Sequence, residues 1–379
     1  MTFRDAAVRF VAAIWLLHGF YNKLLGGSAR HLAIVQAVPG LGGDTGARIL
    51  VAVGIGEVAI AVWVLSGWRP RLCAATQTVA LLSMNVLELT FARDLLLWPA
   101  GLLPLNVAFL TLAWAAADPR AWLRLRARLR RHPFAIEAHF RHCVTLTYAL
   151  PAATLRPFLS PGLELETVAG FGFVAVALVQ TEALRPAGMP AGLGQDFFLA
   201  GYRVFTTFRA PGGRRLRGLR ILRSDANRGR MVSGGNLFTH YNYHRCTSSV
   251  DATSDRIRVA VATADGTGDL RLTADLSTPA LPAGSPFATL REARRFAGPL
   301  PFTFDFEAET NAIIAIQATR AGWRPQAVTV DVARMAFFDQ PAFAGCTPVL
   351  AAAFHVADID YRWERGVRYP IVSPQMVLA

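Results

Sequence analysis

Four apolar stretches, Ala6–Leu25, Ala47–Gly67, Leu72–Ala92 and Leu96–Ala117, fill the first third of the chain. Each is close to the ~20 residues with which an α-helix crosses about 30 Å of hydrocarbon. Ionisable or amide side chains sit inside all four: His18, Asn22 and Lys23, then Glu57, then Asn85 and Glu88, then Asn106. A charge in lipid is costly, so Lys23, Glu57 and Glu88 must face one another, backbone or water. The opening third is therefore read as a four-helix transmembrane bundle with a polar interior. Its first stretch is longer than a signal-peptide core and lacks a small-residue cleavage site, which marks it as a retained span.

The remainder differs. At 379 residues there is room for two domains. Hydrophobic residues make up 53% with a mean hydropathy of +0.33, too apolar for a soluble enzyme and too low for membrane spans throughout. The net charge of +13 is uneven: residues 1–117 carry 8 basic and 5 acidic groups, 118–134 carry 6 and 1, and the rest 25 and 20. Lysine occurs once, at Lys23, and every other cation is arginine. GC-rich codon usage accounts for that bias, but it also means that no residue beyond Lys23 can form a lysine imine. Cys73, Cys143, Cys246 and Cys346 show no metal-knuckle or CxxC spacing and are read as reduced structural thiols.

Basic residues orient the bundle. Arg4, Arg9, Arg69, Arg71 and the six arginines after the fourth span lie on one side. Positive-inside counting places both termini in the cytoplasm of a multi-pass protein of the bacterial inner membrane. By depth along the spans, Lys23 shares a level with Glu88 and could pair with it, above a layer that His18, Glu57, Asn85 and Asn106 could form. That layer is open to two readings: hydrogen-bond glue between helices, or a pocket or proton path in which Glu57 and His18 titrate. Gly54 and Gly56 would let another helix approach closely, and the apolar run Leu32–Val38 is either an outer lid or a connector.

Residues Trp15-Leu-Leu-His18-Gly19, Lys23-Leu-Leu-Gly26, Val38-Pro-Gly40, Gly54-Ile-Gly-Glu57, Leu65-Ser-Gly67, Asn85, Glu88 and Asn106 resemble the DoxX-like family of four-helix membrane proteins. The resemblance implies the fold, with a loose link to quinol or thiol redox systems. Cys73 is the only thiol in the spans and His18 the only deep histidine, which argues against a dithiol or haem role.

Asp118–Pro133 forms a hinge. Asp118 and Pro119 start a helix; Trp122, Leu125 and Leu129 recur at helical spacing among arginines. Its expected partner is a lipid bilayer, the anionic inner leaflet meeting Arg120, Arg124, Arg126, Arg128, Arg130 and Arg131. An arginine run abutting a span reads as a membrane anchor, so no nucleic-acid partner is expected.

From about residue 135 the pattern turns to short alternating stretches between Pro, Gly and Asp. Gly170–Val179, Tyr202–Phe208, Leu216–Leu222, Arg256–Ala262, Leu270–Leu276 and Ala327–Val332 read as strands, and Phe287–Phe296 and Ala152–Leu159 as helices. The expected organisation is a membrane domain at 1–117, a basic amphipathic helix at 118–134, a β domain at 135–365 and a tail at 366–379. The fold class is α + β multidomain. No GxSxG, Walker or Rossmann pattern is present. The densest chemistry lies in Gly234–Arg245: as a strand it puts His240, Asn242 and His244 on one face and Tyr241 and Tyr243 on the other. Two histidines without a third ligand nearby do not make a metal site. A hydrogen-bonding cleft of Arg203, His240, Asn242, Tyr243 and His244 is the candidate site, with a structural network as the alternative.

Pro151–Gly162, Gly170-Phe-Gly-Phe-Val, Tyr202-Arg203, Leu222-Arg-Ser-Asp225 and Gly235–His244 resemble the YqjF-like family of the acetoacetate decarboxylase-like superfamily. The resemblance implies a cone-like antiparallel β-fold around a cavity. It places the decarboxylases' catalytic lysine pair at Asn242 and Tyr243, neither of which can form an imine. Two function classes follow. One is a membrane-anchored module binding a small, anionic or carbonyl-bearing metabolite in its cytoplasmic domain. The other is an enzyme, either a membrane oxidoreductase component for a quinone or thiol, or a lyase or hydrolase working through His240, His244 or Tyr243. The sequence names no cofactor and no catalytic residue.

Overall fold

The computed structural model describes residues 3–298 and 300–371, the side chains of 119–122 excepted. The chain divides into two compact units, Met1–Leu125 and Arg126–Ala379.

In the first unit α1, Phe3–Leu16, runs directly into a π-helical segment, Leu17–Leu24. There follow α2 Ala29–Gln36, α3 Gly43–Ser66, α4 Pro70–Phe91 and α5 Pro99–Ala117. Helices α3, α4 and α5 are long and apolar enough to cross a membrane, and α1 with its π extension occupies the first expected span. Proline opens both α4 and α5, where its missing N–H is not needed. Val62, Val79, Leu105 and Val107 are exposed, as lipid-facing side chains are, while Val11, Trp15, Ala61 and Ala113 pack inside. The run Leu32–Val38 lies largely in α2.

Two sequence expectations for this unit are corrected. Lys23 pairs with Glu57, not Glu88: its Nζ lies 2.8 and 2.7 Å from the two Glu57 oxygens. Straight-helix depths misplace Lys23 because its stretch is π-helical, and i→i+5 bonding changes the phase of every side chain along it. Close approach is supplied by Gly19 and Gly54 rather than Gly56. A Cβ on Gly19 would stand 2.8 Å from both Glu57 Cβ and the Gly54 carbonyl, whereas Gly56 faces open space.

The arginine-rich segment forms α6, Pro119–Leu129. The side chains of Arg120 and Trp122 lie outside the described residues. Arg124, Arg126 and Arg128 are exposed. Arg130 and Arg131 are already engaged by protein: Arg130 donates to the Thr239 carbonyl at 3.1 Å, and Arg131 forks onto Glu307 at 2.7 and 2.6 Å.

The second unit begins with β1 Ile136–Pro151, α7 Ala152–Leu155, β2 Leu163–Leu165 and β3 Thr167–Val168. Next come β4 Phe171–Pro186, β5 Gln195–Arg209, β6 Arg215–Ala226 and α8 Gly229–Phe238. β7 Tyr243–Ala252, β8 Arg256–Thr263, β9 Leu270–Asp275 and α9 Leu290–Ala297 follow. The chain then forms β10 Phe302–Glu307, β11 Ala312–Arg320, β12 Gln326–Ala327, β13 Thr329–Met335, β14 Val349–Trp363 and β15 Val367–Pro370. The expected strands all fall on observed ones. The expected tail does not begin at 366, because β15 pairs with Ala312–Ala315 of β11.

Seven strands close a barrel in the order β6-β10-β11-β14-β1-β4-β5, the ring shut by β5 pairing back onto β6. The pairings are antiparallel except β6–β10 and β6–β7. β7, β8, β9 and β13 continue as a second sheet whose apolar face covers the outside of the barrel. There Val176, Leu178 and Tyr202 meet Ile257, Val259 and Leu272. Inward positions along β4 alternate with these: Phe173 and Ala175 join Phe205 and Phe287 in an aromatic plug, while Ala177 and Val179 face a hollow.

The segment Gly234–Arg245 is not one strand. Residues to Phe238 belong to α8, a loop covers 239–242, and β7 starts at Tyr243. Gly-Gly within a helix has a packing cause here: a Cβ on Gly235 would lie 2.3 Å from the Tyr243 ring. His240, Asn242 and His244 therefore share no face.

Two predictions follow from these elements. Lys23→Met leaves a carboxylate unpaired and lowers the thermal midpoint of the detergent-purified protein, whereas Lys23→Met with Glu57→Gln restores most of it; an additive loss would contradict the pairing. In the second unit burial pushes His132, His240 and His355 down to about 4. The unfolded chain then binds more protons than the folded one as pH falls from about 6.5 to 4, so stability is lost across that window. Asp305, raised by burial to about 7, acts in the opposite sense, its contribution disappearing as pH rises through that value. His142, lowered by burial, joins the first set, and Asp225, raised by burial, and His139, raised by its hydrogen bond to Asp360, join the second. The contribution of His132 is then read as the melting midpoint of His132→Phe falling less, or rising more, from pH 7 to pH 5 than that of the unsubstituted protein.

Candidate functional site

The hollow inside the barrel has a volume of about 310 Å³. Alternate residues of β1, β4, β5 and β6 supply its walls, with Met231, Gly235 and Phe238 of α8 and the loop before β7. A bulge between Phe140 and His142 keeps Phe140 and Cys143 both turned inward and sends His142 outward, 3.2 Å from His355. Along β5 ordinary alternation puts Tyr202 and Val204 in the outer core and Arg203 on the cavity wall, while the register irregularity there leaves Leu222 of β6 as the extra residue.

Arg203 sets the electrostatics. No aspartate or glutamate lines the cavity among the described residues. The Nε of Arg203 is buried and makes no hydrogen bond. The other lining guanidinium, Arg185, is occupied: it donates to the Met189 and Ala183 carbonyls at 2.8 and 2.9 Å and meets Glu137 at 3.5 Å. Around Arg203 stand Tyr241, Tyr243 and Tyr361. Burial pushes Tyr243 up to about 12 and Tyr241 well above the ordinary phenol, the nearby Arg203 only partly offsetting this. Burial likewise raises Cys143 to about 11. These groups are neutral donors at physiological pH. Arg320 donates to the Tyr361 hydroxyl at 2.6 Å, orienting it. His132 adds a neutral imidazole whose buried Nδ1 has no hydrogen-bond partner, and the indole N–H of Trp323 is similarly unpaired. The arrangement is one unopposed cation and several neutral donors in an otherwise apolar chamber, suited to a bound anion.

Of the residues singled out from sequence, Arg203 and Tyr243 reach this cavity. His240, Asn242 and His244 do not line it. His240 uses its backbone N–H on Asp305 at 2.9 Å; Asn242, at φ 53°, donates to the Leu222 carbonyl at 3.3 Å; His244 lies in β7 opposite Asp225. Missed were Tyr241, Tyr361, Trp323 and His132. Reading the 239–242 loop as a strand put Tyr241 on the face opposite His240, Asn242 and His244 without making it a candidate. No local pattern marks the others, which come from segments far apart in the chain.

In the helical unit Lys23 and Glu57 are paired, and Asn106 donates to Asn85 at 2.7 Å. The His18 and His31 rings meet edge to face at 5.9 Å. Glu88 is not the partner of Lys23. Gln77, unremarked in the sequence, accepts from the Trp15 indole at 2.8 Å. A cavity of about 310 Å³ there is lined by Arg4, Asp5, Arg9, Cys73 and Gln77, and so holds both signs of charge. Among the described residues no cluster of three or more His, Cys, Asp or Glu side chains is arranged to hold a metal ion.

Residues 12–114 match the DoxX-like family. Residues 137–358 match DUF2071, an uncharacterized conserved protein family (COG2071). No curated protein matches the chain. Among solved structures, the chain is similar to an acetoacetate decarboxylase-like enzyme from Sphingomonas wittichii RW1, at 14% identity and TM-score 0.43, over 62% of this chain and 92% of that one. It is also similar to acetoacetate decarboxylase from Legionella pneumophila, at 11% identity and TM-score 0.44, over 64% and 89%. The enduracididine biosynthesis enzyme MppR complexed with pyruvate gives 13% identity and TM-score 0.43, over 62% and 90%. The DUF2071 match spans more than half of the sequence: this membrane protein belongs to that family, with a DoxX-like helical region preceding the family's β domain.

Proposed function

We propose that the second unit is a binding module that holds a small organic anion in its barrel, the anion's charge resting on Arg203. The observation that carries this is a guanidinium left without a carboxylate in a cavity that contains no acid. Arg203 is half-buried with its Nε buried and lacking an acceptor, and an anionic ligand would supply that acceptor through charge-assisted hydrogen bonds. The phenols of Tyr241 and Tyr243 add neutral O–H donors. The chain's single lysine is Lys23 in the helical unit, so imine chemistry has no amine in the barrel.

The helical unit serves as the anchor, a multi-pass bundle of the bacterial inner membrane with both termini cytoplasmic. Support comes from the arginines at 4, 9, 69 and 71 and the run after α5, which the positive-inside rule puts on the cytoplasmic side. Exposed Arg124, Arg126 and Arg128 would meet anionic headgroups.

The test is a thermal-shift and calorimetric screen of the full-length protein in detergent, with carboxylates set against the matching amides. Arg203→Met should weaken carboxylate binding by about 1.5–3 kcal/mol. Its melting midpoint without ligand should be unchanged or higher, because no partner is orphaned. Equal binding of acids and amides, or an unaffected Arg203→Met, would refute the reading. Binding should also be flat between about pH 8 and pH 9, since His132 titrates near 4, Cys143 near 11 and Tyr243 near 12, and should change near pH 7, where Asp305 beside Tyr241 exchanges its proton. A sloping profile in the flat range would place another ionising group in the site.

A further inference from the structure

Resting on that reading of Arg203, the geometry points to a narrower ligand class: a monocarboxylate with an apolar tail, carrying neither an ammonium group nor a second acid. Three features of the cavity exclude the other classes of organic anion.

The first is charge count. Arg203 is the one lining guanidinium not already taken up by protein groups, since Arg185 is held by Glu137 and two carbonyls. A dicarboxylate would bury its second charge with no cation to meet it. The second is the absence of acids: with no aspartate or glutamate on the wall, the ammonium of an amino acid would be desolvated without a carboxylate to receive it.

The third is size against lining. At about 310 Å³ the hollow is far larger than a two- or three-carbon acid. Beyond the polar groups around Arg203 the wall is mainly apolar, with Phe140, Val179, Phe197, Leu199, Ile221 and Met231 interspersed with neutral Thr181, Gln195 and Ser224. A short hydrophilic acid would leave that surface facing water. A hydrocarbon or aryl tail would cover it, at about a fourfold gain in affinity per buried methylene. Met231 suits such a tail: its thioether is adaptable in shape, and it sits in α8 beside Phe197 and Tyr243.

The experiment compares butanoate, hexanoate, octanoate and 3-phenylpropanoate on the full-length protein in detergent. Octan-1-ol serves as the tail without the charge, and succinate and phenylalanine as the excluded classes. Affinity should climb by about fourfold per methylene until the cavity is full. Phenylpropanoate should bind at least tenfold more tightly than succinate or phenylalanine. Met231→Phe, which takes up space at the wall, should weaken octanoate more than butanoate. Affinities that stay level or fall from butanoate to octanoate would overturn the tail while leaving the anion site standing. If no acid of any length binds, or octanol matches octanoate, the Arg203 reading itself falls. Tight binding of succinate or phenylalanine would overturn the charge-count argument.

Discussion

Strand β6 has three neighbours, and the cavity depends on how it divides between them. Its full length pairs with β5, which closes the barrel. On the other edge Gly218–Arg220 pairs with β10, while Ser224–Ala226 pairs with β7 of the outer sheet. The two partners diverge around Ile221–Arg223, and the 239–242 loop enters at that fork. The Asn242 side chain bonds the Leu222 carbonyl, and the Asn242 carbonyl accepts from the Ser224 N–H at 3.1 Å. This seats Tyr241 against Ile221, Ile314 and Ile316 inside the wall, and β7 then starts with Tyr243 facing the hollow. A strand that served the barrel alone would leave no gap for the two tyrosines that flank the cation.

Much of this architecture was legible in the sequence, and the failures have physical causes. β4 and β5 read as apolar runs because one face meets the second sheet and the other the interior, whereas β8 and β9 alternate because one face covers the barrel and the other is more exposed. β1 does not: the bulge after Phe140 puts His139, Arg141 and His142 in a row that breaks period two. β14 opens with Ala351-Ala-Ala353, a helix-favouring run made into a strand by its central place between β1 and its other neighbours. The α8 segment went wrong the other way, since Gly234-Gly235 reads as a turn until the Tyr243 ring is known to lie across it. Arg203 could be picked out because it interrupts an apolar strand. His132, Trp323 and Tyr361 could not, because their convergence is a property of barrel closure.

The helical unit shows the same logic in a medium without water. Each polar group inside it has to find another. Lys23 has Glu57, Asn85 has Asn106, and the Trp15 indole has Gln77. The π segment is what brings the first pair together. Gly19 lets that segment press directly on α3 beside Glu57, so the cation reaches the carboxylate along a helix phase that ordinary periodicity does not give. Such satisfaction of every partner is the default for buried charge.

Against that default Arg203 stands apart from most arginines of its own unit, Arg220 being another without a hydrogen-bonded acid. Arg131 forks onto Glu307, Arg217 holds Glu166 at 2.6 Å, and Arg223 holds both Asp225 and Asp265. Arg320, which also lacks a carboxylate, is satisfied by the Tyr361 hydroxyl and the Leu300 carbonyl. Each of these pairings shows that the fold readily supplies an acceptor where a guanidinium is structural. Arg203 lies on the same sheet, two residues from the glycine at 201, and receives none. A methionine or leucine there would pack against the apolar wall at no electrostatic cost. That contrast is what the proposed anion site rests on. On the proposed reading the direction of the trade follows: the empty barrel would gain stability by losing Arg203, and a bound anion would return that difference as affinity.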